Sequence, residues 1–134
     1  MTGVVNFSAI PTGKVTAASR TNTLTNGANV ASATAGRESY FRIGDQVFGF
    51  GSIQVNCTAV TTITTLGIDI PIASAFAAST DANGVASSAG SGAGGRLDAQ
   101  IQADAANDRL TLTFVSDGTG STYVFSYSYG YRVL

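Results

Sequence analysis

Chemistry on a substrate needs an acid, a base or a nucleophile set beside one another, and this chain has little to set. Its 134 residues include eight carboxylates, one lysine, one cysteine and no histidine. Asp98 and Asp104 share one stretch, and a pair of carboxylates is the equipment of a glycosidase. They share one strand face there with Gln100 and Gln102, however, the pattern of a wet face rather than of a cleft. Asp104 and Asp108 bracket a turn, where their oxygens could take calcium, although capping the turn already explains them. Cys57 alone, with no histidine to join it, can build neither an intrachain disulfide nor a Cys/His metal site, so it is expected to be a buried, inert thiol. Residues 79–95 hold five glycines but no Gly-Lys-Ser/Thr ending, so they do not form a phosphate cradle. No catalytic, cofactor-binding or metal-ligating residue is expected, and the chain is not expected to be an enzyme.

The charges exclude further classes. A net charge of −1 from fifteen charged residues, with no basic run and no aromatics interleaved with Lys or Arg, leaves little to neutralise phosphates, so nucleic acid is not an expected partner. No stretch approaches eighteen apolar residues, and the first residues, MTGVVNFSAIPTGK, lack a basic start and a long apolar run. Neither a spanning helix nor a signal peptide is expected, which places synthesis in a cytoplasm without a membrane partner.

The elements that would position any site are strands. Seventeen Thr and fourteen Ser against six Leu disfavour helix. In residues 121–134 every odd position from Tyr123 to Val133 is apolar or aromatic, a period of two that defines a long strand carrying five of the twelve aromatic rings. Such a strand belongs in the middle of a sheet with its rings covered; its outer tyrosines, Tyr129 and Tyr131, are also candidates for contact with a partner. Phe41 and Ile43 alternate with Tyr40 and Arg42, then Gly44-Asp45 turns the chain into VFGFGSIQVNC, giving a hairpin. In its second strand Phe48 and Phe50 hold one phase and Val47, Ile53, Val55 and Cys57 the other, which a bulge near Gly49 and Gly51 or a doubly covered strand would reconcile. Leu66, Ile68, Ile70 and Ile72 share one phase, and Pro71, which cannot donate to a ladder, means that the strand ends there or runs along an edge. Residues 79–95 suit a surface connection, or a strand whose small side chains permit close packing. Leu97, Ala99, Ile101 and Ala103 alternate with polar residues, DAAND turns the chain into Leu110, Leu112 and Phe114, and Asp117-Gly118 leads to the last strand as a further hairpin.

About eight strands between polar turns make an all-β, jelly-roll-like sandwich over residues 21–134, preceded by an extended arm over residues 1–20. The expected core comprises Phe41, Ile43, Ile53, Val55, Leu66, Ile68, Ile70, Leu110, Leu112, Phe114, Phe125 and Tyr127. The arm carries Val4, Val5, Phe7 and Ile10, apolar residues outside the sandwich that are candidates for contact with a partner subunit.

The segments NTLTNGANVASATA, YFRIGDQVFGFGSIQVN, TTLGIDIPIASAF, ADAANDRLTLTF and VFSYSYGYRVL, in that order, resemble a recurring module of tailed-bacteriophage virion proteins. The resemblance spans residues 22–134. It implies β-rich, jelly-roll-like subunits in symmetric assemblies, of the kind found in small virion proteins and at the ends of tail fibres. With only about twenty residues before the module and no shaft among them, the resemblance implies a capsid decoration or cement protein that bridges major capsid subunits from outside. A tail-fibre or receptor-binding tip is the alternative. Residence in the virion follows from the same resemblance, while self-association as a dimer or trimer is expected because the long aromatic strand, the apolar arm and the few charges leave more apolar surface than a sandwich of 134 residues hides.

Overall fold

In the computed structural model, residues 15–88, 96–117 and 122–134 are described. Strands β1 (Val15–Thr21), β2 (Leu24–Asn26), β3 (Val30–Ile43), β4 (Gln46–Cys57), β5 (Ile63–Ile68), β6 (Ala82–Ser88), β7 (Leu97–Asp104), β8 (Arg109–Val115) and β9 (Thr122–Arg132) form one antiparallel sheet in the order β1-β3-β4-β9-β6-β7-β8-β5-β2. The all-β class holds, but the architecture is one rolled sheet rather than two stacked ones. The reason lies in its edges. β1 and β2 stand at opposite ends of the sheet, eight inter-strand steps or roughly 38 Å apart if it were flat. Only Asn22 and Thr23 separate them in the chain, a reach of about 11 Å. The sheet must therefore curl until its ends meet, and Arg20 pins the seam by donating to Asp69 just beyond β5, through Nη1 to Oδ2 at 2.7 Å and Nη2 to the carbonyl at 2.7 Å.

Rolling gives every strand an inside and an outside. β9 lies between β4 and β6, and its Tyr123, Phe125, Tyr127, Tyr129 and Tyr131 all point inward, so the long aromatic strand is the centre of the sheet as its pattern predicts. Opposite it, Leu66, Ile68, Ile101, Leu110, Leu112 and Phe114 complete the core. Small residues on β6, Ala82, Ala86 and Ser88, are buried beside the β9 rings, so part of the glycine- and serine-rich stretch is the close-packed strand; residues 89–95 lie outside the described ones. Cys57 is buried within 3.7 Å of the Thr64 hydroxyl, and burial pushes its thiol pKa up.

Three expectations need correction. Phe41 and Ile43 face outward and are exposed, while Ile70 packs against the core only in part. The hairpin expected between β8 and β9 does not form: β8 pairs with β7 and β5, β9 with β4 and β6, and the second hairpin is β7–β8. No bulge interrupts β4 at Gly49 or Gly51, whose register with β9 runs unbroken from Gln46 to Asn56. The irregularity lies across the ladder on β3, between Ala35 and Glu38. Gly36 and Arg37 there insert an extra residue, so the inward phase passes from Ala33 and Ala35 to Glu38 and Tyr40.

The two glycines of β4 belong to the inside phase with Val47, Ile53 and Val55. A Cβ on Gly49 would overlap the Tyr129 ring, and one on Gly51 would come within 2.9 Å of the Tyr127 hydroxyl. Glycine here makes room for tyrosine. Gly49→Ala is expected to cost about 1–3 kcal/mol through overpacking, read as a lower urea midpoint at unchanged slope; an unchanged midpoint would mean that the ring has space to move.

Candidate docking face

The same strands carry a polar knot inside and an apolar strip outside. The knot forms around Glu38, which the β3 bulge turns inward and leaves wholly buried. Its Oε1 accepts from Tyr129 Oη at 2.9 Å and Arg20 Nε at 2.9 Å, and its Oε2 accepts from Tyr127 Oη at 2.8 Å. Asn22 Nδ2 donates in turn to the Tyr127 hydroxyl, while Asn22 Oδ1 is buried without a hydrogen-bond partner among the described residues. Tyr131 donates to the Ile72 carbonyl at 2.6 Å and accepts from the Ile72 amide at 3.1 Å.

Electrostatics follow from this packing. Burial first, then the charge and hydrogen bonds of Glu38, push the Tyr127 and Tyr129 pKa values well above the ordinary phenol range. Burial raises Tyr131 to about 12. For Arg20, burial works against the charge, but the Glu38 and Asp69 carboxylates outweigh it and hold the guanidinium above its ordinary value. Both carboxylate oxygens of the wholly buried Glu38 thus accept from the protein's own donors. The knot fastens β1, β3 and β9 together; it is structural.

On the outside, register brings five apolar residues into one strip across β1, β3 and β4. Val15 stands opposite Ile43 and Phe41 opposite Phe48, with Phe50 two residues further along β4. The Phe41 and Phe48 rings stack at 5.2 Å between centroids. All five are 38–54% exposed. Beside them the outer face of β9 presents only Ser128 and Gly130, opposite Phe50 and Phe48, so the phenylalanines border an open trough whose far side includes Asn83 and Gly84 of β6. Solvated apolar residues in contact with one another are the usual mark of a docking surface.

Of the contact residues expected from sequence, Tyr129 and Tyr131 lie inside the roll at 4% and 3% exposure, hydrogen-bonded to Glu38 and Ile72. Val4, Val5, Phe7 and Ile10 fall outside the described residues. The strip itself was not anticipated, although the conflict of phase between Phe48–Phe50 and the rest of β4 was its signal. The acidic pair at the β7–β8 turn is occupied: Asp104 Oδ2 accepts from Asn107 Nδ2 and Arg109 Nε, each at 2.9 Å, and Asp108 Oδ1 accepts from the Phe76 amide at 2.9 Å.

No known protein family matches the chain, and no curated protein sequence does. Among solved structures the fold is similar to that of a fragment of avian reovirus sigmaC, with a TM-score of 0.56 and 14% identity, over 89% of this chain. The match takes in 62% of that sigmaC fragment. At this identity the likeness is one of fold: a rolled, all-β domain that a viral protein also uses.

Proposed function

We propose that the chain is a virion structural protein and, within that class, a capsid decoration protein that binds the outside of the shell and bridges major capsid subunits. It acts by docking rather than by catalysis, with no cofactor. The observation that carries this proposal is the outer strip of Val15, Phe41, Ile43, Phe48 and Phe50, a contiguous apolar surface on a chain with few charges. The resemblance to tailed-phage virion modules and the fold shared with a reovirus protein support the virion class. The partners proposed are the major capsid protein and further copies of this chain, as dimers or trimers, and the place is the virion.

Rebinding of purified protein to emptied capsids tests the proposal. The variant Phe48→Ser/Phe50→Ser, altered only on the outer face, is expected to keep its sheet spectrum and to bind about tenfold or more weakly, the scale for losing buried aromatic anchors. Added salt should change the affinity little, since few ion pairs are available. Copy number separates the alternatives: hundreds of copies per particle fit a shell protein, and a few tens or fewer would assign the chain to a tail fibre or its tip. Unweakened rebinding of the double variant would remove the strip from the interface.

A further inference from the structure

We propose that the trough beside Phe48 and Phe50 binds a neutral oligosaccharide. Its volume of about 660 Å³ falls within the range of small-molecule sites, roughly 300–1,000 Å³. The exposed rings of Phe48 and Phe50 form one wall, and Asn83 of β6 faces Phe48 from the other side of Gly130, two inter-strand steps or about 9.5 Å away. Phe41 stacks on the Phe48 ring, and a Cβ on Gly130 would come within 3.2 Å of Phe48 Cδ1, so the ring stands over the trough floor. Glycine there keeps the floor low. Gln46 and Arg132, opposite one another, line one end together with Asp81, and Ser128 lies opposite Phe50. From Gln46 to Phe50 the wall runs about 14 Å along β4, room for more than one sugar ring.

The unspent polar groups identify the ligand class. Among the described residues the side chains of Gln46, Asn83, Ser128 and Arg132 have no hydrogen-bond partner, although they line one trough. Asp81 is held in place, since its Oδ2 accepts from the Ala77 amide at 2.7 Å and the Ala78 amide at 2.8 Å. Side-chain amides and hydroxyls both donate and accept, as every sugar hydroxyl does, while the C–H face of a pyranose ring is drawn to the negative face of an aromatic ring. An aromatic wall set across from an amide meets both sides of a sugar at once. The charges select a neutral one, because Arg132 and Asp81 contribute one of each sign. A peptide fits worse: peptides add a strand to a free sheet edge or lay a helix into an apolar groove. Here β4, β9 and β6 are inner strands paired on both sides, and the floor is Ser128 and Gly130. Sugar binding does not rest on the shell contact proposed above, but Phe48 and Phe50 serve both, so sugar and shell would exclude one another.

The experiment screens the full chain, without capsids, on an array of neutral and anionic oligosaccharides and titrates the strongest member by calorimetry. The expected result is saturable binding to neutral oligosaccharides. Phe48→Ser/Phe50→Ser, with folding confirmed by circular dichroism, should weaken it about tenfold or more, the scale of two lost ring contacts. Asn83→Ala, an exposed position whose side chain bonds to no described residue, should weaken it about fivefold, the scale of one hydrogen bond. Binding confined to anionic members would overturn the neutral assignment. No binding to any member, or binding that either variant leaves intact, would overturn the site. Because no capsid is present, each of these failures leaves the virion proposal to its own test.

Discussion

Raising the pH from about 10 to about 12 is expected to unfold the protein steeply, at up to about 4 kcal/mol per pH unit. Tyr127, Tyr129 and Tyr131 are buried and have raised pKa values, with Tyr131, the lowest, at about 12. In the unfolded chain all three titrate near pH 10. A group whose folded pKa is raised gives its full stabilisation below the unfolded pKa and loses it as pH climbs toward the folded one. In that window the unfolded state releases three protons that the folded state keeps, each withdrawing about 1.4 kcal/mol per pH unit. Because the unfolded phenols are half ionised at pH 10 and Tyr131 is half ionised at pH 12, the two units together remove about 6 kcal/mol, comparable with the whole stability of a domain this size. Arg20 stays charged throughout, because Glu38 and Asp69 hold its pKa up despite burial. Tyrosinate absorbance and the sheet signal in circular dichroism should change together in one transition, and Tyr131→Phe should shallow the slope by about a third. Ionisation of all five tyrosines near pH 10 with the sheet intact would show that the rings are not sealed as described.

These tyrosines also show how far the sequence could be read. Their period of two marked the strand, its central place and its inward rings without any structure, because a half-buried strand writes its burial directly into alternation. β7 and β8 were legible for the same reason. The alternation of β3 gave the right period and the wrong face, since the inner surface there is not apolar: it holds tyrosine hydroxyls, which need an acceptor, and Glu38 supplies it. Hydrophobicity is thus inverted locally, with Phe41 and Ile43 outside and Glu38 within. The bulge at Gly36 and Arg37 that sets this phase has no clear mark in a single sequence. Pairing was harder still. Asp117-Gly118 is turn chemistry, but which strands pair is decided by the closure of the roll, where β8 is held by β5 and β7 and β9 by β4 and β6. The docking strip was half legible: Phe48 and Phe50 stood out of phase, and only the assignment of Gly49 and Gly51 to the inside shows that no bulge was needed to excuse them.

Glu38→Ala is expected to cost about 3–5 kcal/mol, the scale for removing one member of a buried, hydrogen-bonded ion pair. The carboxylate accepts from three donors on two other strands, Arg20 on β1 and Tyr127 and Tyr129 on β9. Alanine leaves two buried phenols without their acceptor beside a guanidinium that keeps only Asp69, and each unsatisfied buried group carries its own desolvation cost. Glu38→Gln should lie between, because its amide oxygen keeps one acceptor while its NH₂ points a donor at a donor. The loss also has a location. Arg20 reaches Glu38 and Asp69 with the same guanidinium, so the knot and the seam of the roll share one side chain, and releasing Glu38 loosens the closure of β1 as well. Amide exchange should therefore rise first in β1 and in β3 beyond the bulge, while β7 and β8 stay protected. A double-mutant cycle with Arg20→Ala isolates the pair: Glu38→Ala should cost at least about 1 kcal/mol less once Arg20 is gone, as coupled neighbours do. Additive costs, or a loss for Glu38→Ala below about 1 kcal/mol, would mean that water satisfies the knot and that the apolar wall of β5, β7, β8 and β9 holds the roll closed without it.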